Sequence, residues 1–95
     1  MKPRKTAELV HTLENKGFKR DNTHHIYYEL YVEGKRTRVK TFISHGKKEY
    51  DKNLMSELKR QLHFPTKDQA ELFFDCPMKF EEYVDLLKAQ KIITL

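Results

Sequence analysis

The chain reads as an α+β protein, a two-layer α-β-β-β-α sandwich followed by a C-terminal helical extension. Three observations predict this. An apolar stripe at helical spacing ends at Gly17, two alternating segments flank Glu33-Gly34, and a second helical stripe runs through Leu54, Met55, Leu58 and Leu62. Two helices on one face of a three-stranded antiparallel sheet let both kinds of element bury their apolar side.

Thr6 is the expected N-cap of the first helix, over about residues 7 to 16, with Leu9, Val10 and Leu13 on its apolar stripe. Gly17 supplies the left-handed residue that stops it. Phe18-Lys19-Arg20 starts a short strand, and Asp21-Asn22-Thr23 reads as a turn. The next strand alternates: Ile26, Tyr28, Leu30 and Val32 point to one face, and His25, Tyr27, Glu29 and Tyr31 to the other. After the Glu33-Gly34 turn, Thr37, Val39, Thr41 and Ile43 face inward while Arg36, Arg38, Lys40 and Phe42 face outward. A second helix spans about residues 50 to 63. Residues 1 to 64 thus make one domain, and residues 65 to 95 a helical extension packed on it or on a partner. Thr66-Lys67-Asp68-Gln69 fits a capping box opening a short helix through about Phe74. Asp75-Cys76-Pro77 breaks it. Phe80, Tyr83, Val84 and Leu87 then fall at i, i+3, i+4 and i+7 on a last helix ending near Gln90.

Ninety-five residues leave room for one small core and not two. Apolar residues at 38% and charged residues at 35% suit a soluble protein with a heavily charged surface. No apolar run approaches the roughly 18 residues of a membrane-spanning helix. Met1-Lys2-Pro3-Arg4-Lys5 lacks the apolar stretch of a signal peptide. Cys76, the lone cysteine, has no partner for an internal disulfide, which points to a reducing cytoplasm. The net charge of +5 is uneven: residues 1 to 64 carry 15 Lys and Arg against 8 Asp and Glu, and residues 65 to 95 carry 4 against 6. An anionic partner is therefore expected on the first two-thirds of the chain, and nucleic acid is the default at a pI near 9.3. A lysine-rich surface also serves solubility alone.

Histidines beside phosphate-binding charge are what metal-free RNA cleavage needs. A base removes the 2′-OH proton, the freed oxygen attacks phosphorus, an acid protonates the leaving 5′-oxygen, and cations hold the phosphate. Histidine suits either proton role because it titrates near neutrality. His11 and His63 sit on helices and read as solvent-facing or half-packed. His24 and His25 are strand neighbours and must point to opposite faces. His24 aligns with Ile26, which predicts a semi-buried side chain able to orient a loop; the period favours His25, which shares its face with Tyr27 and Tyr31. Arg36, Arg38 and Lys40 lie about 6.5–7 Å apart along one strand face, close to phosphate spacing. The tyrosines offer stacking surfaces for bases. The same basic pattern also fits a solvated sheet face whose lysines and arginines discourage edge-to-edge pairing. Ser44-His45-Gly46 is a second RNA contact, a helix-entry turn, or neither. No cofactor or metal is expected: Gly17, Gly34 and Gly46 are isolated turn residues, and no His or Cys spacing fits a zinc site.

These residues resemble the HicA (YcfA-like) family of toxin mRNA interferases over about residues 5 to 64. The likeness lies in a helix ending Lys16-Gly17-Phe18, the segment Asn22-Thr23-His24-His25, the strand Ile26-Tyr27-Tyr28, a strand ending near His45, and the helix Asn53-Leu54-Met55-Ser56-Glu57-Leu58-Lys59-Arg60-Gln61-Leu62. Asn22 and Thr23 stand where the family usually has glycine and serine, a proline common before the later histidine is missing, and the extension from 65 to 95 lies outside the short form. The resemblance implies a double-stranded-RNA-binding-like fold and a cytoplasmic endoribonuclease that cleaves mRNA. It makes His25 the catalytic residue and adds Thr23, His24 and His45 to the RNA contacts. It also implies a HicB-like antitoxin partner.

Overall fold

In chain order the elements are β1 (Arg4–Lys5), α1 (Thr6–Asn15), β2 (Phe18–Asp21), β3 (Tyr27–Val32), β4 (Lys35–Phe42), β5 (Glu49–Tyr50), α2 (Lys52–Gln61), α3 (Lys67–Phe74) and α4 (Phe80–Ala89). The computed structural model describes residues 1–21, 27–44, 46–75 and 77–94. The expectations for Asn22, Thr23, His24, His25, Ile26, His45 and Cys76 lie outside the described residues.

The alternation over residues 27–42 becomes a hairpin because Glu33 and Gly34 both take positive φ, 53° and 76°, as a tight two-residue turn requires. β2, β3 and β4 form an antiparallel sheet in that order. The inward row is as read from the sequence: Tyr28, Leu30, Val32, Val39 and Thr41 are buried. The pairing between β3 and β4 is not uniform. Glu29 faces Lys40 and Tyr31 faces Arg36, so β4 spends four steps where β3 spends two. An offset of two residues preserves which face each side chain takes, whereas one residue would invert it. Thr37 fills the irregularity: its hydroxyl donates to the Leu30 carbonyl at 2.9 Å and accepts from Val39 N–H at 3.2 Å.

Two features differ from the sequence reading. Thr6 is not the cap of α1 but its first residue; its hydroxyl donates to the Lys47 carbonyl at 2.6 Å, and Lys5 caps without a side-chain bond. The cause is the small β1–β5 pair, Arg4 facing Tyr50 and Lys5 facing Glu49, which fixes the chain as extended up to Thr6. That pairing also delays α2, which starts after Asp51, whose side chain accepts from Leu54 N–H at 2.9 Å.

Helices α3 and α4 enter the same core as α1, α2 and the sheet. Phe18 stacks on Tyr83 with ring centroids 6.1 Å apart, and Phe73 lies 4.8 Å from Tyr83 and 5.2 Å from Phe64. The Tyr83 hydroxyl donates to the Leu62 carbonyl at 2.8 Å. Gly17, at φ 90°, stops α1 as expected, and a Cβ there would meet the Phe80 ring at 2.5 Å. The first helix and the last are therefore in contact through a residue that has to be glycine. The radius of gyration, 12.5 Å, matches the roughly 12.4 Å of one compact unit of this length. The molecule is a small α+β protein with antiparallel strands and, among the described residues, four helices. No described helix is long and apolar enough to cross a membrane.

Candidate nucleic-acid interface

The inner face of the sheet is consumed by the core, so the chemistry lies on the outer one. Antiparallel pairing sets Lys19 opposite Glu29 and Asp21 opposite Tyr27 on β2 and β3. It sets Tyr27 opposite Phe42 and Tyr31 opposite Arg36 on β3 and β4. The outer face thus interleaves three aromatic rings with four cations and two carboxylates.

The pairs are in contact. Lys19 Nζ sits 4.5 Å from the centroid of Tyr31, and Lys40 Nζ sits 5.4 Å from that of Tyr27. Tyr27 and Phe42 meet edge-on at 5.6 Å. Phe42 is 50% exposed, although it is a large apolar side chain. Each cation over a ring contributes about 0.5–1 kcal/mol at an exposed site. The Tyr27 phenol is held above its usual pKa, first by partial burial and then by its hydrogen bond to the Asp21 carboxylate. It is therefore neutral at pH 7 and serves as a platform and donor, not as a base.

The three predicted phosphate-binding residues are on one face but are not equivalent. Arg36 Nε is 3.7 Å from Glu29 Oε2, and Glu29 is nearly buried beneath its neighbours. Arg38 lies in the stretch of β4 without a direct partner on β3, and among the described residues no carboxylate lies within ion-pair distance. Arg38 is exposed, and its charge is felt at His63, just beyond α2. Lys40 is shared with Tyr27. The even spacing expected from a regular strand is interrupted between Arg36 and Lys40.

Tyr27, Tyr31, Arg36 and Lys40 meet partners on this face, Arg38 is exposed on the same strand, and Thr23, His24, His25 and His45 lie outside the described residues. Sequence reasoning passed over Lys19 and Phe42. Phe42 had been placed on the outer face and Lys19 on the first strand. Aligning that strand antiparallel to the second would have exposed both as members of the cluster. Of the other histidines, His11 Nε2 meets Asn15 Nδ2 at 3.0 Å on the surface. His63, expected on the second helix, lies just beyond α2 at φ 64°, and burial, then the Arg38 charge, lower its pKa. Among the described residues no three His, Cys, Asp or Glu side chains gather into a metal-holding group. Comparison with protein-family models, with curated proteins and with solved structures found no match to this chain.

Proposed function

We propose that the chain binds RNA on the outer face of its sheet and cleaves it as a toxin-type, HicA-like mRNA interferase. The observation that supports this reading is the face itself, where Tyr27, Tyr31 and Phe42 alternate with Lys19, Arg36, Arg38 and Lys40. Aromatic rings stack bases without regard to sequence, at about 1–3 kcal/mol per base, while cations follow the backbone. A single strand meets both needs at once, because its bases are free to unstack onto the rings.

Cleavage rests on the resemblance. His25, two residues before Tyr27 in the chain, is the proton-transfer group, taking the 2′-OH proton or returning one to the leaving 5′-oxygen. Arg38 and Lys40 hold the phosphate as negative charge builds on it. The scaffold is of double-stranded-RNA-binding type, and a HicB-like antitoxin neutralises the enzyme by covering this face. A non-catalytic RNA-binding module is the second reading. It is favoured by the rings and cations of the described face, which are binding groups.

The test is a gel assay of single-stranded RNA with purified protein in EDTA, beside His25→Ala. Wild type is expected to cut and the variant to bind without cutting. Equal cutting by both would remove His25 from the mechanism. Binding without cutting by wild type would leave the second reading.

A further inference from the structure

Along the outer edge of β4, the last strand of its sheet, lies a cleft of about 300 Å³. Lys35, Arg36 and Arg38 line one side of it, and Ile92, Ile93 and Thr94, which follow α4, line the other. We propose that this cleft holds a phosphate of the bound RNA strand together with its ribose, so that the C-terminal extension completes the RNA site. The proposal rests on the RNA reading above and carries it past the edge of the sheet. At roughly 30 Å³ per liquid water the space equals about ten waters, room for one phosphate and the sugar attached to it. Three cations line the cleft, and among the described residues no carboxylate does.

The cleft continues the sheet face. Arg36 and Arg38 belong to both, and a strand lying on the face reaches the cleft by crossing β4 alone. Lys35 precedes Arg36 and so alternates to the other side of the strand, which wraps positive charge around the end of β4. Arg36 is drawn toward Glu29 at 3.7 Å, whereas among the described residues neither Lys35 nor Arg38 has a carboxylate within ion-pair distance. The far wall is fixed in place. Lys91, at φ 60°, donates its N–H to the Lys88 carbonyl at 3.0 Å, and Ile92 N–H donates to the Leu87 carbonyl at 2.9 Å. The Gln90 amide donates to the His63 carbonyl at 2.8 Å, which ties the same corner to the end of α2. Ile93 is buried in the core, leaving half-buried Ile92 as an apolar surface for a ribose and exposed Thr94 at the mouth.

The experiment measures fluorescence anisotropy of a labelled uridine octamer with protein carrying His25→Ala, so that the RNA stays intact. Salt is held at about 0.1 M, where charges more than about 10 Å away are largely screened. Lys35→Ala and Thr94→Asp are each expected to weaken binding about fivefold, and Thr94→Lys to tighten it by a similar factor. All three replace exposed side chains, and an unchanged urea midpoint reports that each variant is folded. Lys52→Ala, which removes a charge at the start of α2, should change affinity less than about twofold. Effects at Lys35 and Thr94 no larger than that at Lys52 would overturn the cleft and leave RNA binding standing. Hexaglutamate at the same molar concentration should not displace the octamer; displacement that Lys35→Ala removes would give the cleft to an acidic protein partner and overturn the proposal. No binding of the octamer would overturn the RNA reading and the cleft with it.

Discussion

A guanidinium keeps its charge at any working pH, so a buried Arg4 obliges the fold to hold a carboxylate against it. Arg4 is 7% exposed, lies 5.6 Å from the centroid of Phe74, and donates through Nη1 to Asp75 Oδ1 at 2.8 Å. Its Nε and Nη2 have no hydrogen-bond partner among the described residues. Among the described residues Asp75 is the carboxylate that answers for the charge, and Lys2 pairs with the same oxygen at 3.5 Å. The Arg4 hydrogen bond, above all, holds the Asp75 carboxyl below its usual pKa. A depressed folded pKa means stability that is complete above the unfolded value and is lost as pH falls through the folded one. Urea midpoints of wild type are expected to fall more steeply than those of Asp75→Asn between about pH 5 and pH 2; parallel profiles would dismiss the linkage. None of this was legible in Met1-Lys2-Pro3-Arg4-Lys5, which shows in sequence only as a basic segment without the apolar stretch of a signal peptide. A two-residue strand has no period to detect, and the aspartate it meets lies 71 positions away.

At the scale of elements, periodicity was a good guide wherever the element was long enough to show one. The outward and inward rows of β3 and β4, the stop at Gly17 and the apolar stripes of α2 and α4 all follow from spacing. What spacing leaves out is register between strands, and the two-residue offset opposite Leu30 depends on Thr37 replacing a backbone partner with its hydroxyl. Glu29 is a similar omission, since alternation assigns it to solvent and its neighbours bury it. Spacing does mark Phe73 as part of a helix, but not that its ring touches Phe18, Phe64, Phe74 and Tyr83 at once. Phe73→Ala is expected to cost about 3–5 kcal/mol of stability, read from chemical denaturation. A loss under about 1 kcal/mol would show that the cavity collapses or that α3 is not held by this ring.

For the molecule as a whole, charge was the readable quantity and its placement was not. The excess in residues 1–64 suggested an anionic partner, and the sheet concentrates Lys19, Arg36, Arg38 and Lys40 on one face of a body 35 × 32 × 18 Å. If four cations each meet a phosphate of single-stranded RNA, log K should fall with log salt at a slope near −3. Titrations between 50 and 200 mM salt, about the range over which such slopes are read, check it, and Arg38→Ala should flatten the slope by about one unit. A slope near zero would mean that the cations are not used. The aromatic cluster joining Phe18 to Phe73 and Tyr83 also governs when the protein can first exist. A chain emerging from the ribosome has already delivered Tyr27, Arg38 and Lys40 before it has the rings that close the core behind them. Folding must then wait for the last helix, and the sheet face takes no lasting shape on the ribosome until that helix has emerged.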